Sequence, residues 1–211
     1  MIKAIKKSSL VLTLFAIAST SLVVATYALT ADRIQQQEQI HLLKVLNQVI
    51  PADNHDNELY LSCSVIAASP ALGTTVATPA YIATKQDKPS GVAIETIAPD
   101  GYNGAIKIIV GLSYNAEVTG VRVLSHNETP GLGDKIDLRI SDWILSFTGQ
   151  SLTPNTENQW AVKKDGGQFD QFTGATITPR AIIKATKKVV LYYQKNRDAI
   201  YALPKNCQEA K

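Results

Sequence analysis

The sequence predicts an α+β fold, in which an antiparallel sheet packs against helices, preceded by one N-terminal transmembrane helix. Three observations predict this fold: an uncharged apolar run opens the chain, Val- and Ile-rich runs follow, and two helical patterns come last. Strands followed along the chain by helices are typical of α+β domains. The length of 211 residues suits one domain of moderate size together with an anchor.

The N-terminal segment has the length and the flanking charges of a membrane anchor. Lysines occupy three of the first seven positions, and no charge follows until Asp32. The run between them holds about twenty mostly apolar residues, enough to span a bilayer. The lysines place the N-terminus in the cytoplasm, and the run is longer than the core of a cleaved signal peptide, the alternative. We therefore predict a cytoplasmic N-terminus at residues 1–8 and a transmembrane helix at 9–29.

Outside the membrane, residues 30–52 predict an amphipathic helix that continues from the anchor. Apolar residues such as Leu43 and Leu46 recur at helical spacing, and Pro51 ends the pattern. The folded domain is then expected to occupy residues 53–211.

Four short runs in this domain predict antiparallel strands. They are rich in Val and Ile and begin near Ala80, Gly91, Ala105 and Glu117. Turn residues separate them, among them the Lys-Pro-Ser sequence at 88–90. The short spacing between the runs predicts a meander.

Two helical patterns follow the predicted strands. Residues 136–147 place Ile140, Ile144 and Phe147 on one face of a helix. A longer helix is expected to begin after Thr178, which we interpret as its N-cap because proline follows at the first helical position.

Cys63 and Cys207 are candidates for a disulfide. Their spacing does not resemble a metal-binding motif. Two cysteines in one exported chain most often pair, and the alternative is two buried free thiols. A bridge between them would hold the C-terminal tail against the start of the domain.

Composition disfavours two other kinds of function. The net charge is only +3 and the lysines are scattered, so nucleic acid is not an expected partner. The polar residues at 53–58 include one histidine and several carboxylates, but such acidic turns are common, and we predict no metal site.

The stretch "HNETPGLGDKI" is one candidate site, at the end of the last predicted strand. Pro130, Gly131 and Gly133 make a bend where the backbone can approach a ligand closely, flanked by Glu128 and Asp134. The alternative is an ordinary loop that connects a strand to a helix.

The stretch "FDQFTGATITPR" is the second candidate site. It brings the hydroxyls of Thr173, Thr176 and Thr178 to a helix N-terminus, where free N–H groups and a partial positive charge favour an anion such as phosphate. Lys163, Lys164 and Arg180 add positive charge nearby. The alternative is a threonine-capped helix start, and spacing alone does not choose among the three threonines.

The second stretch carries a resemblance to a known family. Residues 170–176, D-Q-F-T-G-A-T, match the signature D-x-x-[Ser/Thr]-G-A-[Thr/Ser] of proteins that carry FMN covalently on the last hydroxyl residue. With the anchor, "APDGYNGAIKIIVGL", "HNETPGLGDKI" and "SDWILSF", nearly the whole chain resembles the G subunit of bacterial Rnf-type (Rsx-type) ion-translocating electron-transport complexes. The domain is also similar to that of the C subunit of the sodium-pumping NADH:quinone reductase.

The resemblance implies the residues of an FMN site. Thr176 would be the phosphoryl threonine that holds FMN through a phosphoester. Asp170, Thr173, Gly174 and Ala175 would be read by a flavin transferase and would shape the phosphate pocket.

We expect four residues of the first stretch to lie against the flavin: Glu128, Thr129, Gly131 and Leu132. Leu132 is a candidate for packing on the ring system, and Tyr102 and Trp143 are weaker candidates.

The resemblance also implies a function and partners. The protein would be a single-pass subunit of the bacterial inner membrane with a periplasmic domain, passing electrons between neighbouring iron-sulfur and flavin subunits. It would be an electron-transfer subunit without catalytic residues of its own rather than a stand-alone enzyme. One alternative is a non-redox, membrane-tethered scaffold or binding module. Another is a stand-alone flavin reductase, which needs a proton donor, and His126 has no evident partner in the sequence.

Overall fold

The computed structural model describes residues 2–207, without the side chains of residues 2–5 and 35. The chain divides into two compact units between Leu42 and Leu43, and each unit is described by itself.

The first unit is the greater part of helix α1, which runs from Ile2 to Val49 over 48 residues. Within residues 2–207, α1 is the one helix long and apolar enough to cross a membrane. In this unit Leu12, Phe15 and Leu22 have 70–72% of their surface exposed, as expected of side chains that face lipid rather than a protein core. The helix ends at Val49, just before the predicted stop at Pro51.

The second unit contains a five-stranded antiparallel sheet, and the predicted α+β fold is confirmed. The strands occur in the order β1-β2-β3-β4-β5, so that every strand pairs with its neighbours in the chain. Their bounds are β1 Cys63–Ile66, β2 Thr78–Lys85, β3 Lys88–Ala98, β4 Ile106–Ser113 and β5 Val118–Ser125.

The connection between β2 and β3 is shorter than the sequence predicted. The chain turns at Gln86 and Asp87, which both have positive φ angles (53° and 60°). Left-handed values at both central residues suit a two-residue hairpin turn. Residues 88–90, predicted as the turn, therefore already belong to β3.

Helix α2, Ile177–Tyr201, covers one face of the sheet. It packs on β3 and β4, and its buried side chains share a core with alternate strand residues such as Ile94, Ile108 and Val110. The opposite face receives the end of α1. There Gly111 and Gly120 are paired across β4 and β5, and a Cβ on Gly111 would overlap the Val49 carbonyl oxygen.

The predicted helix at 136–147 is wrong. Two short 3₁₀ helices, Gly133–Ile136 and Asp142–Phe147, take its place. Between them the Asp137 carboxylate accepts from the Arg139 amide at 2.9 Å, and the Ser141 hydroxyl accepts from the Trp143 amide at 3.1 Å. Such side-chain bonds compete with helical backbone bonds.

The burial of the apolar residues in this segment follows from the two short helices. Ile144 and Phe147 are fully buried, as their spacing predicted, whereas Ile140 is 57% exposed.

The C-terminal tail lies along the edge of β1. Cys63 and Cys207 are joined in a disulfide with their Cα atoms 5.4 Å apart. The Val65 amide donates to the Asn206 side chain at 3.2 Å, which holds the tail at the same edge.

Candidate functional site

A tight turn precedes α2 and brings the threonine-rich stretch to the surface. The Ala175 amide donates to the Phe172 carbonyl at 3.1 Å, which closes a four-residue turn. Gly174 is the third residue of this turn with φ +81°, the position that requires a positive φ in a type II turn. The turn leaves Thr173 exposed and leads directly into the first turn of α2.

The N-cap of α2 is Thr176, and the prediction that Thr178 has this role is wrong. Thr178 is fully buried, and its hydroxyl donates to Glu128 Oε2 at 2.5 Å, so it faces the interior instead of the backbone. The Thr176 side chain is half-buried and makes no hydrogen bond with any residue from 2 to 207. The first-turn amides of α2 have no intrahelical partners, and this side chain does not cap them.

The two candidate stretches meet in one cleft of about 270 Å³. Its lining residues come from the loop before β4, the loop after β5 and the start of α2: Tyr102, Glu128, Thr129, Leu132, Gly133, Gly174, Ala175, Thr176, Ile177 and Thr178. Small-molecule pockets usually measure roughly 300–1,000 Å³. The cleft is therefore large enough to enclose part of a flavin, with the remainder facing outward.

Apolar side chains make up much of the rim of the cleft, and its floor is polar. Tyr102, Leu132 and Ile177 have 67%, 42% and 47% of their surface exposed. Exposed apolar side chains around a concave site are typical of a surface that binds an aromatic ligand.

Glu128 forms the floor, with only 5% of its surface exposed. Besides the Thr178 hydroxyl, its carboxylate accepts from the Asn103 amide at 3.2 Å. A Cβ on Gly101 or on Gly133 would lie 2.9 or 2.6 Å from a carboxylate oxygen, so both positions need glycine for the carboxylate to fit. Glu128 thus ties together the three segments that line the cleft.

Gly131 and Thr129 shape the loop after β5. Gly131 has φ +77° and reverses the chain, after which the amides of Leu132 and Gly133 both donate to the Thr129 carbonyl at 3.1 Å. Gly131 does not itself line the cleft, but the turn it makes brings Leu132 to the rim.

Asp170 and Trp143 lie beside the turn and not in the cleft. Asp170 pairs with Lys163 at 2.6 Å, and its carbonyl accepts from the Trp143 indole at 2.8 Å. The Trp143 ring packs edge-on against Phe172 and Phe147, with centroids 5.1 and 5.5 Å apart. Trp143 therefore supports the turn from the core, and it is not among the residues that would meet a ligand.

Two of the three positive charges expected near the helix N-terminus are already neutralised. The Arg180 guanidinium makes two 2.7 Å bonds to Asp165 and lowers the pKa of that exposed carboxyl, and Lys163 is engaged by Asp170. Attraction for an anion at this end of α2 thus rests on the backbone amides, the helix dipole and the exposed Lys164, which forms no ion pair within residues 2–207.

His126 has partners that the sequence did not reveal. Its Nδ1 accepts from the Glu128 amide at 3.1 Å, and its Nε2 lies 3.9 Å from Asp137. The Asp137 pKa is lowered, mainly by its bonds to Arg139. His126 is therefore part of the support of the loop that carries Glu128, and it does not line the cleft.

The fold and the cleft define a class of protein, in which an FMN-binding domain follows an N-terminal apolar helix along the chain. Residues 101–191 match the family model of the FMN-binding domain, and residues 1–49 match the model of the RnfG N-terminal region. The first match covers the cleft and most of α2, and the second covers α1.

Similar proteins identify the family. The chain is 61% identical to a Vibrio atlanticus protein named as the G subunit of the ion-translocating oxidoreductase complex, over 98% of this chain and 99% of that protein. A protein of the same name from Aliivibrio fischeri is 58% identical, over 99% of each. The chain belongs to the family of G subunits of Rnf-type ion-translocating oxidoreductase complexes.

A solved structure agrees on the fold. The crystal structure of Shewanella oneidensis NqrC superposes with a TM-score of 0.50 and 20% identity, over 70% of this chain and 75% of that chain. At this identity the likeness concerns the fold alone.

Proposed function

We propose that this protein is the membrane-anchored flavoprotein subunit of an ion-translocating oxidoreductase complex, and that it holds FMN through a phosphoester on Thr176. The observation that carries the proposal is the Thr176 hydroxyl, which is free of hydrogen bonds within residues 2–207 and lines the cleft. FMN supplies the redox chemistry when bound, and the chain positions it.

The start of α2 suits a phosphate diester. In the first turn of α2 the amides of Ile177 and Thr178 have no intrahelical partners, Pro179 has no N–H to offer, and the dipole adds a partial positive charge. An ester on the N-cap hydroxyl would keep the remaining charged oxygens close to these amides. A helix N-terminus alone would be weak support, but here the acceptor hydroxyl and an apolar-rimmed cleft coincide with it.

The neighbouring threonines fit the role less well. The Thr178 hydroxyl is fully buried and bonded to Glu128. Thr173 is exposed but lies outside the cleft, so FMN attached there would have no enclosing surface.

The exposed turn is accessible to a maturation enzyme. Asp170, Thr173 and Gly174 are all exposed beside Thr176. A flavin transferase that reads this turn would therefore meet its recognition residues on the folded surface of the domain.

We place the domain in the periplasm, with α1 anchoring it in the inner membrane. Lysines flank the apolar run on its N-terminal side, which orients that end toward the cytoplasm. The disulfide between Cys63 and Cys207 is of the kind that persists in an oxidising compartment. The domain would there exchange electrons with iron-sulfur and flavin subunits of the same complex.

The test is the intact mass, followed by peptide mapping, of the full chain exported from cells that also make a flavin transferase. The unchanged protein is expected to gain one FMN less one water on the peptide that contains Thr176. Thr176→Ala should abolish the gain, whereas the hydroxyl-preserving Thr173→Ser and Thr176→Ser, which both keep the signature, should keep the mapped site at position 176. An unmodified mass for the unchanged protein would refute the proposal and favour a non-redox scaffold.

A further inference from the structure

The negative charge of Glu128 is not required by the bonds that Glu128 makes. Its carboxylate accepts one hydrogen bond from the Thr178 hydroxyl and one from the Asn103 amide. A glutamine at position 128 could make both bonds, because its oxygen can accept from the amide while its nitrogen donates to the hydroxyl oxygen. The two bonds explain the polar side chain but leave the charge unexplained.

No cation compensates this buried charge in the part of the chain that the structure describes. Exposed carboxylates nearby have partners: Asp165 pairs with Arg180, Asp170 with Lys163, and Asp100 with Lys184. The half-buried Asp134 of the same loop forms no ion pair within residues 2–207, but it does not line the cleft. No Lys, Arg or His nitrogen within residues 2–207 forms an ion pair with Glu128. Burial of a carboxylate without a cation opposes folding, so the domain carries an electrostatic cost at this position.

The uncompensated charge faces the cleft. Glu128 is the one carboxylate among the residues that line it, and the exposed apolar side chains of Tyr102, Leu132 and Ile177 make up much of the rim. A ligand seated against this rim would exclude water, and the field of a charge is much stronger in such surroundings than in water. The carboxylate would therefore act mainly on what occupies the cleft.

We propose that the Glu128 carboxylate is a fixed negative charge that lowers the reduction potential of the flavin in this cleft. Added electrons increase the negative charge of the ligand, and a nearby carboxylate opposes that increase. Hydrogen bonds from Thr178 and Asn103 hold the carboxylate in place, so its effect does not depend on a mobile side chain. This inference rests on the proposed function.

The decisive variant is Glu128→Gln, because it removes the charge and keeps the two hydrogen bonds. The full chain, loaded with FMN and purified in detergent, is titrated spectroelectrochemically. We expect the midpoint potential to rise, with at least a tenfold increase in the ratio of reduced to oxidised flavin at a fixed potential. That increase corresponds to about 59 mV for a one-electron couple and about 29.6 mV for a two-electron couple.

Glu117→Gln is the matched control. It makes the same chemical change at an exposed residue just before β5, whereas the Glu128 loop follows the other end of that strand. Its midpoint potential should equal that of the unchanged protein. Intact mass and thermal unfolding check that each variant carries FMN and is folded.

A second pair of variants covers the case in which Glu128→Gln does not fold. Thr129 is exposed and lines the cleft, so Thr129→Lys would bring a cation toward the carboxylate, and Thr129→Met is a neutral variant of similar length. The lysine variant should have the higher midpoint potential of the two.

The outcomes separate this inference from the proposed function. Equal potentials in flavin-loaded Glu128→Gln and unchanged protein would overturn the role of the charge and leave attachment at Thr176 intact. Equal potentials in the two Thr129 variants would do the same where the first variant does not fold. Absence of FMN from the unchanged protein would refute the proposed function and this inference with it.

Discussion

Replacing Thr178 by valine removes the shortest hydrogen bond in the floor of the cleft and keeps the shape of the side chain. The hydroxyl donates to Glu128 Oε2 at 2.5 Å, and both residues are buried. In the variant that carboxylate keeps only the Asn103 amide as a donor. A buried charged acceptor that loses its donor costs about 2–3 kcal/mol, which for a chain of this size lowers the melting temperature by roughly 4–12 °C.

The assay is thermal unfolding of the full chain in detergent, followed by tryptophan fluorescence. Both tryptophans, Trp143 and Trp160, pack in the aromatic core of the domain and report its unfolding. Thr178→Ser is the matched control, because it keeps the hydroxyl and loses one methyl group, worth about 1 kcal/mol.

Repeating Thr178→Val in a Glu128→Gln background tests whether the acceptor is charged. A neutral amide that loses its partner costs roughly 1 kcal/mol, so the two substitutions should show a coupling free energy of about 1–2 kcal/mol. A valine variant as stable as the serine variant, or the same cost in both backgrounds, would refute the reasoning.

Three further predictions concern the frame around the cleft. Gly111→Ala should lower the free energy of unfolding by about 1–3 kcal/mol in chemical denaturation, because its methyl group would collide with the end of α1. Replacing Cys63 and Cys207 by serine should lower the free energy of unfolding by about 2–5 kcal/mol, because the disulfide closes a long loop. A reductant should lower the free energy of unfolding of the unchanged protein by the same amount and should not affect the double variant. Bonds from Arg139 lower the Asp137 pKa below its ordinary value of 3.8, so this pair stabilises the fold above that pH and its contribution is lost as the pH falls toward the lowered pKa. Acid denaturation should therefore show Arg139→Gln less stable than the unchanged protein near pH 7, with the difference shrinking below about pH 4.

The strands and the long helix were predictable because their signals are local and repeated. The Val- and Ile-rich runs became β2 to β5, and the second helical pattern became α2. Strand β1 was not predicted, because it has four residues and is stabilised by pairing with β2 and by contact with the tail. The helix predicted at 136–147 did not form, although its apolar spacing correctly identified Ile144 and Phe147 as buried. The side chains of Asp137 and Ser141 accept hydrogen bonds from the backbone amides of Arg139 and Trp143, and these bonds compete with a continuous helix.

The site was predictable only as two separate pieces. The motif and the glycine-rich loop were recognisable in the sequence, and the structure brings both to the same cleft. The hydrogen bond that joins the two pieces connects Glu128 with Thr178, which are 50 residues apart. Nothing in the sequence indicates that these two residues are in contact. The sequence predicted that Lys163 and Arg180 would attract an anion to the motif. In the folded domain Lys163 forms an ion pair with Asp170 and Arg180 forms one with Asp165, and neither pairing is evident from the sequence.

The inward bond of Thr178 also explains why the Thr176 hydroxyl is free. Thr176 has helical backbone angles (φ −79°, ψ −21°), and residues two apart in a helix point about 200° away from each other. Both threonines line the cleft, but only Thr178 bonds the buried Glu128 carboxylate, whereas the half-buried Thr176 hydroxyl makes no hydrogen bond within residues 2–207. A threonine at 178 that served as the N-cap would instead shift the helix start by two residues and change the direction of Thr176. The two threonines thus have different roles: the Thr178 hydroxyl fixes the start of α2 to Glu128, and the Thr176 hydroxyl remains available for a ligand.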